Sequence, residues 1–509
     1  MFMSSQNFKT YTAKERNMYL VGMFGQNVTY SIISSVLAYY LQFTLLIPAI
    51  AVSTIMSISR VWDAFNDPMM GTIVDKTRTK WGKCRPYLIF SPIPIMIITI
   101  LCFINGFYNP ALGMFEGRNA LIVIAAGTTY ILWGMAYTVG DIPLWGVTAL
   151  MSEKEKDRAK LISAARIIAA IAGGIATLGL QPLALALGEI ITKQYGLAPN
   201  VGEKYGFIVV VTVLAVIGAV TFQMTGIFIR ERIPGSKKSY SLKENFGLMW
   251  KNKPFRKILI SGVLSSTRLL LNISAMPLVT YYYASKDPLM AIVYIVMLGG
   301  GMFLGMFIGM GLVPKLTKKF EKKDVYNYSN LLCVIPYLMI FVLYLIAPQD
   351  LVKPLYLVLM FIIFLFCGFG SGATDVLRSL MIADAVDYED YHNHIRPDGV
   401  FFSGQTFITK LSTGIATIIS GLAYAAVGFS DERIQVVNDY IAAGGIPRLN
   451  PEFSSYMMIL FFIVSIPPAI GCLLGVIPTW KYPFTDKDHE KMLEELNKRR
   501  HEEGEEISE

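Results

Sequence analysis

Charge is scarce in this sequence. Only 16% of its 509 residues are Asp, Glu, Lys or Arg, and 54% are hydrophobic, whereas soluble globular chains carry about 25% charged residues. With a mean hydropathy of +0.49, an ordinary soluble domain is excluded. Cysteine is scarce as well. Cys84, Cys102, Cys333, Cys367 and Cys472 are scattered, four of them in apolar stretches, so no disulfide framework is implied. There are four histidines. His392 and His394 in "YHNHIR" offer two ligands in a polar loop, short of a zinc set, and read as a solvated loop. No P-loop, HExxH or nucleophile elbow occurs. That counts against an enzyme, and no cofactor is expected. The first 18 residues are polar, so no cleavable leader is expected and the first apolar run is its own insertion signal.

What the chain does have is long uncharged runs. "LYLVLMFIIFLFCGFGSGA" (355–373) and "AIVYIVMLGGGMFLGMFIGMGLV" (291–313) match the roughly 20 residues that a helix needs to cross a ~30 Å hydrocarbon core. They do not alternate as barrel strands do. A 20-residue hydropathy criterion predicts about twelve spans, near 19–47, 50–74, 88–107, 120–148, 162–190, 206–229, 256–285, 288–314, 326–347, 352–383, 400–428 and 453–479. The expectation is an all-α, multi-pass protein of the cell membrane with the lipid bilayer as its surroundings.

The loops differ in charge. "DKTRTKWGKCRPY" holds Lys76, Arg78, Lys80, Lys83 and Arg85; "SEKEKDRAK", the segment Arg230 to Lys257 and "PKLTKKFEKKD" are also basic. The opposite loops are nearly bare, with only Arg118 in 108–119 and only Lys193 and Lys204 in 191–205. Basic loops stay on the cytoplasmic side, so both termini are predicted inside. This accounts for the net charge of +8 without any nucleic-acid partner. The predicted organisation is an N-terminal segment (1–18), a six-helix half (19–229), a central loop (230–255), a second six-helix half (256–479) and a charged tail (480–509). The tail reads as a short helix that frays. A weak repeat, "GTIVDKTRTK" (71–80) against "GLVPKLTKKF" (311–320), supports two related halves. That is the major facilitator arrangement, and a monomer is expected.

The informative residues are the charges inside the spans, because burial in a bilayer is costly and such groups are functional by default. In "VWDAFNDPMMG" (61–71), Asp63 and Asp67 stand four apart, on one helix face. Asn66 adds an amide oxygen, and Pro68 removes a backbone donor and frees the carbonyl of Ala64. Two carboxylates at that spacing repel unless a cation relieves them. The set suits a small hard cation, with Na⁺ expected at Asp63 and Asp67; the bland reading is a salt bridge between helices. In "YTVGDIPLWG" (137–146), Asp141 can accept hydroxyl bonds while Trp145, one turn on, offers a flat apolar face; a sugar ring has both kinds of surface. Arg166 enters the fifth span and reaches the interface, a substrate or Asp141. In "SGQTFITKLSTG" (403–414), Lys410 lies in an apolar helix and wants a carboxylate, with Gln405 and Thr406 one turn earlier as candidate substrate contacts. Arg268 and Asp375 are two further charges in spans. They either pair, or Arg268 faces an acidic substrate.

Four stretches, in order and over most of the chain, resemble the glycoside–pentoside–hexuronide:cation symporters, the melibiose carrier group of the major facilitator superfamily. "RVWDAFNDPMMGTIVDKTRTKWGKCRPYLI" is similar to the family's second helix and following loop, and "YTVGDIPLWG" to its fourth helix. "KLISAARIIAAIAGG" is similar to its fifth, and "MIADAVDYEDYHNHIR" followed by "SGQTFITK" to the tenth-to-eleventh-helix region. The resemblance implies cation coupling at Asp63 and Asp67, with Asn66 and Thr138 as oxygen neighbours and Lys410 in the same charge network. It implies sugar contacts at Asp141, Trp145 and Arg166. One departure stands out. Where the melibiose carriers have a lysine–aspartate pair in the first helix, with the aspartate on the sugar, this chain has Gln26 and Asn27 in "MFGQNVTYS". Asn27 keeps the hydrogen bonding to hydroxyls without the charge. The expected function is uptake of a glycoside, pentoside or related sugar with Na⁺ or H⁺. The rivals are a cation-coupled carrier of a uronide or lysolipid, and a membrane-embedded enzyme or sensor.

Overall fold

The computed structural model describes residues 9–233, 242–285, 288–428 and 431–506. The first eight residues of the N-terminal segment, 234–241 of the central loop and the last three of the tail lie outside the described residues. The described structure is helical: α1 Ala13–Tyr39, α2 Ala49–Lys76, α3 Arg85–Phe90, α4 Pro92–Leu101, α5 Asn119–Gly146, α6 Glu155–Tyr195, α7 Pro199–Phe228, α8 Leu242–Lys251, α9 Lys253–Leu264, α10 Leu270–Pro277, α11 Pro288–Leu316, α12 Lys322–Ile346, α13 Pro354–Asn393, α14 Asp398–Ala426, α15 Asp431–Ala442, α16 Ser454–Trp480 and α17 Asp486–Glu506. Among the described residues, nine helices are long and apolar enough to cross a membrane, or ten if the bent pair α9 and α10 is one span.

A helix stands at each of the twelve predicted places, but two of them are broken. The third divides at Ser91, where Pro92 and Pro94 take two donors out of the helical ladder. The seventh bends by 47° between Leu264 and Ser266. There the run "SGVLSSTR" lets hydroxyls compete for carbonyls: Ser265 Oγ donates to Ser261 O at 2.8 Å, and Thr267 Oγ1 donates to Pro467 O at 2.7 Å.

Two compact units result. The first comprises Met1–Met249 with Glu389–Phe407 and Glu495–Glu509; the second comprises Trp250–Tyr388 and Ile408–Glu494. Apolar attraction between helices is weak in lipid, so close backbone approach has to supply packing energy. In the first unit α1 and α7 meet through glycines. A Cβ on Gly25 would lie 2.1 Å from Thr221 Oγ1 and 2.5 Å from the Gly218 carbonyl. In the second unit α11 and α13 do the same with a four-residue repeat. A Cβ on Gly305 would lie 1.9 Å from Leu365 O, and one on Gly368 would lie 2.1 Å from Met302 O.

One end of the first unit is closed by buried charge. Lys83 Nζ lies 3.0 Å from Asp75 Oδ1 and 2.6 Å from Asp398 Oδ2, and Arg396 Nε lies 3.4 Å from Asp398 Oδ1. The Asp75 carboxylate also accepts the Gly399 and Val400 amides, both at 2.9 Å, at the start of α14. Burial alone would pull the Lys83 ammonium down, but Asp398 and Asp75 more than offset it and hold the group above the ordinary lysine value.

The tail departs from its expectation. α17 is capped reciprocally: Thr485 Oγ1 accepts the Asp488 amide at 3.2 Å, and Asp488 Oδ2 accepts the Thr485 amide at 3.0 Å. In the second unit His489, fully buried, sets Nε2 3.2 Å from Asp387 Oδ2. The expected helix is docked, because one imidazole in a charged stretch is buried against an aspartate; the last three residues, at the end expected to fray, lie outside the described residues.

Candidate membrane-buried polar site

The polar site of the first unit is built on α1, α2, α5 and α6. α2 runs unbroken through Pro68, so Asp63 and Asp67 do share a face. Asp63, Asn66 and Asp67 are all buried, the last completely. Against them stands α5. Thr138 Oγ1 donates to Asp67 Oδ1 at 3.0 Å and also to Gly134 O of its own helix at 2.9 Å. Gly134, one turn earlier, sits under the other carboxylate: a Cβ there would lie 3.1 Å from Asp63 Oδ1 and 3.7 Å from Ser59 Oγ. Glycine is what lets the α5 backbone come this close. The buried Asn66 Nδ2 makes no hydrogen bond among the described residues, so the amide can turn its oxygen to a cation without breaking one. Carboxylate, amide and hydroxyl oxygens form a hard donor set that suits an alkali or alkaline-earth ion rather than a soft metal.

One residue back on α5, a second cluster begins. Gln26 on α1 donates through Nε2 to Asp141 Oδ1 at 2.7 Å and also to the Tyr137 hydroxyl. Asn27 Nδ2 donates to Gln26 Oε1 at 2.7 Å and to Met23 O at 2.9 Å. Asn27 thus orients Gln26, and Gln26 is the residue that meets the carboxylate. The Tyr137 ring stacks on Trp133, centroids 4.8 Å apart and 18° between planes, with Tyr30 5.4 Å away on another side. Trp133 is itself pinned by its Nε1 donating to Thr99 Oγ1 at 2.9 Å. Arg166 on α6 lays its guanidinium 4.1 Å above the Trp145 ring. Asp141 and Trp145 are both buried. A carboxylate, a phenol, an amide and an aromatic wall together present the hydroxyl-bonding and flat apolar surfaces that a sugar ring matches.

The other sequence-predicted residues stand on other elements. Gln405 is buried on α14 in the first unit's segment Glu389–Phe407, and Thr406 there turns its Oγ1 back to Phe402 O at 3.5 Å. Lys410 is half-buried and belongs to the second unit, whereas Asp63 and Asp67 belong to the first. His392 stacks edge-on to Tyr391, and His394 Nδ1 is 2.6 Å from Arg499 Nη1; neither joins a group of potential metal ligands among the described residues. Arg268 and Asp375 are not an ion pair. Arg268 Nη1 donates to Asn330 Oδ1 at 3.0 Å, and Asp375 lies 3.9 Å from Arg378, a turn away on its own helix. Sequence reasoning missed Gln26, Tyr137, Trp133 and Gly134 as site residues. The signal available for Trp133 and Tyr137 was their four-residue spacing with Asp141 along one face of α5; Gln26 and Gly134 had none.

Known proteins resemble this chain over most of its length. The family described as MFS/sugar transport protein matches residues 18–486. An isoprimeverose transporter from Lactiplantibacillus pentosus is 25% identical over 487 residues, covering 95% of this chain and 91% of that protein. A glucuronide carrier protein homolog from Escherichia coli is 26% identical and covers 89% of this chain and 88% of that protein. Among solved structures, the E. coli fucose:proton symporter aligns with a TM-score of 0.57 at 12% identity, over 92% of this chain and 98% of that one. A bacterial homologue of the iron transporter ferroportin aligns with a TM-score of 0.61, also at 12% identity, over 92% and 99%. These structures share the major facilitator fold with this chain.

Proposed function

The chain belongs to the MFS/sugar transport protein family, of the glycoside–pentoside–hexuronide:cation symporter type, and from that premise we propose that it carries a glycoside, pentoside or related sugar across the cell membrane with Na⁺ by alternating access. It is a multi-pass membrane transporter and not an enzyme. Relatives named for isoprimeverose and glucuronide transport support the cargo class.

The observation that carries the reading is the adjacency of Tyr137 and Thr138. Thr138 bonds Asp67 in the carboxylate pair, and Tyr137 shares Gln26 with Asp141. One turn of α5 serves both clusters. A cation on Asp63 and Asp67 relieves their repulsion and settles that turn, which sets Tyr137 and Asp141 for the sugar. Coupling of this kind is reciprocal, so sugar raises cation affinity by the same factor. Sodium is favoured over a proton because a proton needs one carboxylate, whereas this site gathers two with Asn66 and Thr138 beside them. With the basic loops on the cytoplasmic side, both termini face inward.

The test is sugar uptake into proteoliposomes at fixed pH and membrane potential, with and without an inward Na⁺ gradient. Stimulation by Na⁺ is expected. No stimulation by Na⁺ beside a full response to a proton gradient overturns the sodium assignment. Absence of accumulation under either gradient overturns symport.

A further inference from the structure

The two carboxylates of α2 face α5 on successive turns, and α5 does not serve them alike. On the later turn Thr138 gives Asp67 a hydroxyl at 3.0 Å. On the earlier turn α5 has only Gly134, which puts no side chain toward Asp63. The group that shares this gap with Asp63 comes from α2 itself. A Cβ on Gly134 would lie 3.1 Å from Asp63 Oδ1 and 3.7 Å from Ser59 Oγ, so both oxygens border the same space.

Ser59 stands four residues before Asp63, as Asp63 stands four before Asp67, and residues at that spacing are neighbours along a helix face. Ser59 is 2% exposed, so bulk water does not serve its hydroxyl. A hydroxyl residue inside a helix commonly turns back to the carbonyl four residues earlier. Thr72 and Thr77 of α2 do so, donating to Pro68 O and Ile73 O at 2.9 Å each. Ser59 makes no such bond among the described residues, and its oxygen borders the gap instead. Leaving a buried hydroxyl unmet is costly, and alanine would fill the same volume without that cost. The Asn66 amide on the same helix is in a like position: it is 4% exposed, and its Nδ2 has no hydrogen-bond partner among the described residues. Two buried polar groups held open beside a carboxylate pair point to a ligand taken between them.

We infer that Ser59 is a specificity-determining residue of the cation site, its hydroxyl oxygen joining Asp63 across the gap at Gly134 and setting which alkali ion the site prefers. This rests on the reading of Asp63 and Asp67 as the place of the coupling ion. Carboxylates attract every alkali ion by charge. Discrimination by size comes from how many oxygens reach the ion together and how widely they stand. Ser59 gives the Asp63 side the hydroxyl that Thr138 gives the Asp67 side, and the fuller oxygen set favours Na⁺ over the smaller Li⁺. Without Ser59 the remaining oxygens still close on Li⁺ but leave Na⁺ short of a ligand.

The experiment titrates the purified full chain with NaCl or LiCl, choline chloride holding the ionic strength, and reads each ion's half-saturation from the rise in unfolding midpoint. Na⁺ activation of sugar uptake in proteoliposomes is the second readout. Wild type is expected to bind Na⁺ more tightly than Li⁺. Ser59→Ala is expected to raise the Na⁺ half-saturation about tenfold, the scale of one bond to a charged group, and to raise that of Li⁺ several-fold less. Ser59→Thr keeps the hydroxyl and is expected to keep the wild-type order of ions. Ser59→Cys keeps the shape but exchanges a hard oxygen for a soft sulfur; it is expected to follow Ser59→Ala, and it carries the test should the alanine disturb the packing of α2. Unchanged Na⁺ binding in Ser59→Ala overturns the inference while leaving the sodium reading in place. So does an equal loss of Na⁺ and Li⁺, which a merely structural serine would give, or a wild-type order of ions in Ser59→Cys. A wild type that responds to neither ion overturns the sodium reading and this inference together.

Discussion

The two units bury opposite charges and satisfy them differently. In the first, Asp67 accepts a bond from Thr138 and Asp141 accepts one from Gln26, both from neighbouring helices. In the second, the guanidinium of Arg268 has one hydrogen-bond acceptor among the described residues, the neutral Asn330. The backbone differs in parallel. α2 carries its carboxylates on a helix that continues through Pro68, whereas Arg268 stands on a break. A continuous helix holds Asp63 and Asp67 at a fixed spacing, which suits an ion needing set oxygen positions. A broken one leaves the backbone around Arg268 freer to adjust. On the proposed reading the first unit carries the cation-handling residues.

The largest expected effect tests that division. Asp67→Asn removes a fully buried carboxylate from the cation site, and a charge-assisted interaction is worth about 1.5–3 kcal/mol. Half-maximal Na⁺ activation of uptake is expected to move by about 100-fold or to vanish, with some downhill sugar exchange retained. Asp63→Asn is expected to do the same. Arg268→Gln is expected to leave the Na⁺ activation curve in place. A sodium curve that shifts equally in all three variants breaks the comparison.

Next in size is Gln26→Ala. Gln26 Nε2 serves both Asp141 and Tyr137, and leaving such buried acceptors unmet costs about 1–3 kcal/mol. Sugar affinity, read by equilibrium binding, is expected to fall about tenfold at saturating Na⁺. Asn27→Ala acts through Gln26 and is expected to cost less. Equal losses in the two variants would place Asn27 on the sugar directly.

The ranking of these two residues also shows what was legible in the sequence. Asp63, Asp67 and Asp141 stand out because a carboxylate in an apolar run has few bland explanations. Gln26 does not, since uncharged polar residues are common in spanning helices, and only the approach of α1 to α5 reveals what it meets. Gly134 is invisible for the same reason: its role is the space it leaves for Asp63. The places of the helices were legible because apolar runs mark them, although nine or ten of the described helices are long and apolar enough to span; the break before Arg268 was not, since serines and threonines bend a span only when their hydroxyls find carbonyls such as Pro467 O. Arg268 and Asp375 read as a natural pair by charge alone, yet Asp375 lies beside Arg378 on its own helix. The docked tail was hidden in a highly charged segment whose one buried histidine, His489, carries the contact.

The smallest effect concerns an arginine of the first unit's spans and sharpens the contrast. Arg166 in the first unit rests on the Trp145 ring at 4.1 Å, so its charge is taken up in part by the indole face, whereas Arg268 in the second has a single amide oxygen. A cation–π contact of this kind is worth about 0.5–2 kcal/mol. Trp145→Phe keeps an aromatic wall but weakens the face beneath the guanidinium, and is expected to lower sugar affinity only a few-fold. Arg166→Lys is expected to do the same, because an ammonium cannot lie flat on the ring. The double variant is expected to lose less than the sum of the two single losses, as residues in contact do. Both single changes are expected to act equally on a uronide and its neutral glycoside, since the stacked guanidinium shapes a wall and does not meet the cargo's charge. Equilibrium binding of methyl glucuronide and methyl glucoside to the two single variants and the double variant measures this. A selective loss of uronide binding in Arg166→Lys would show that Arg166 meets a charged group on the cargo.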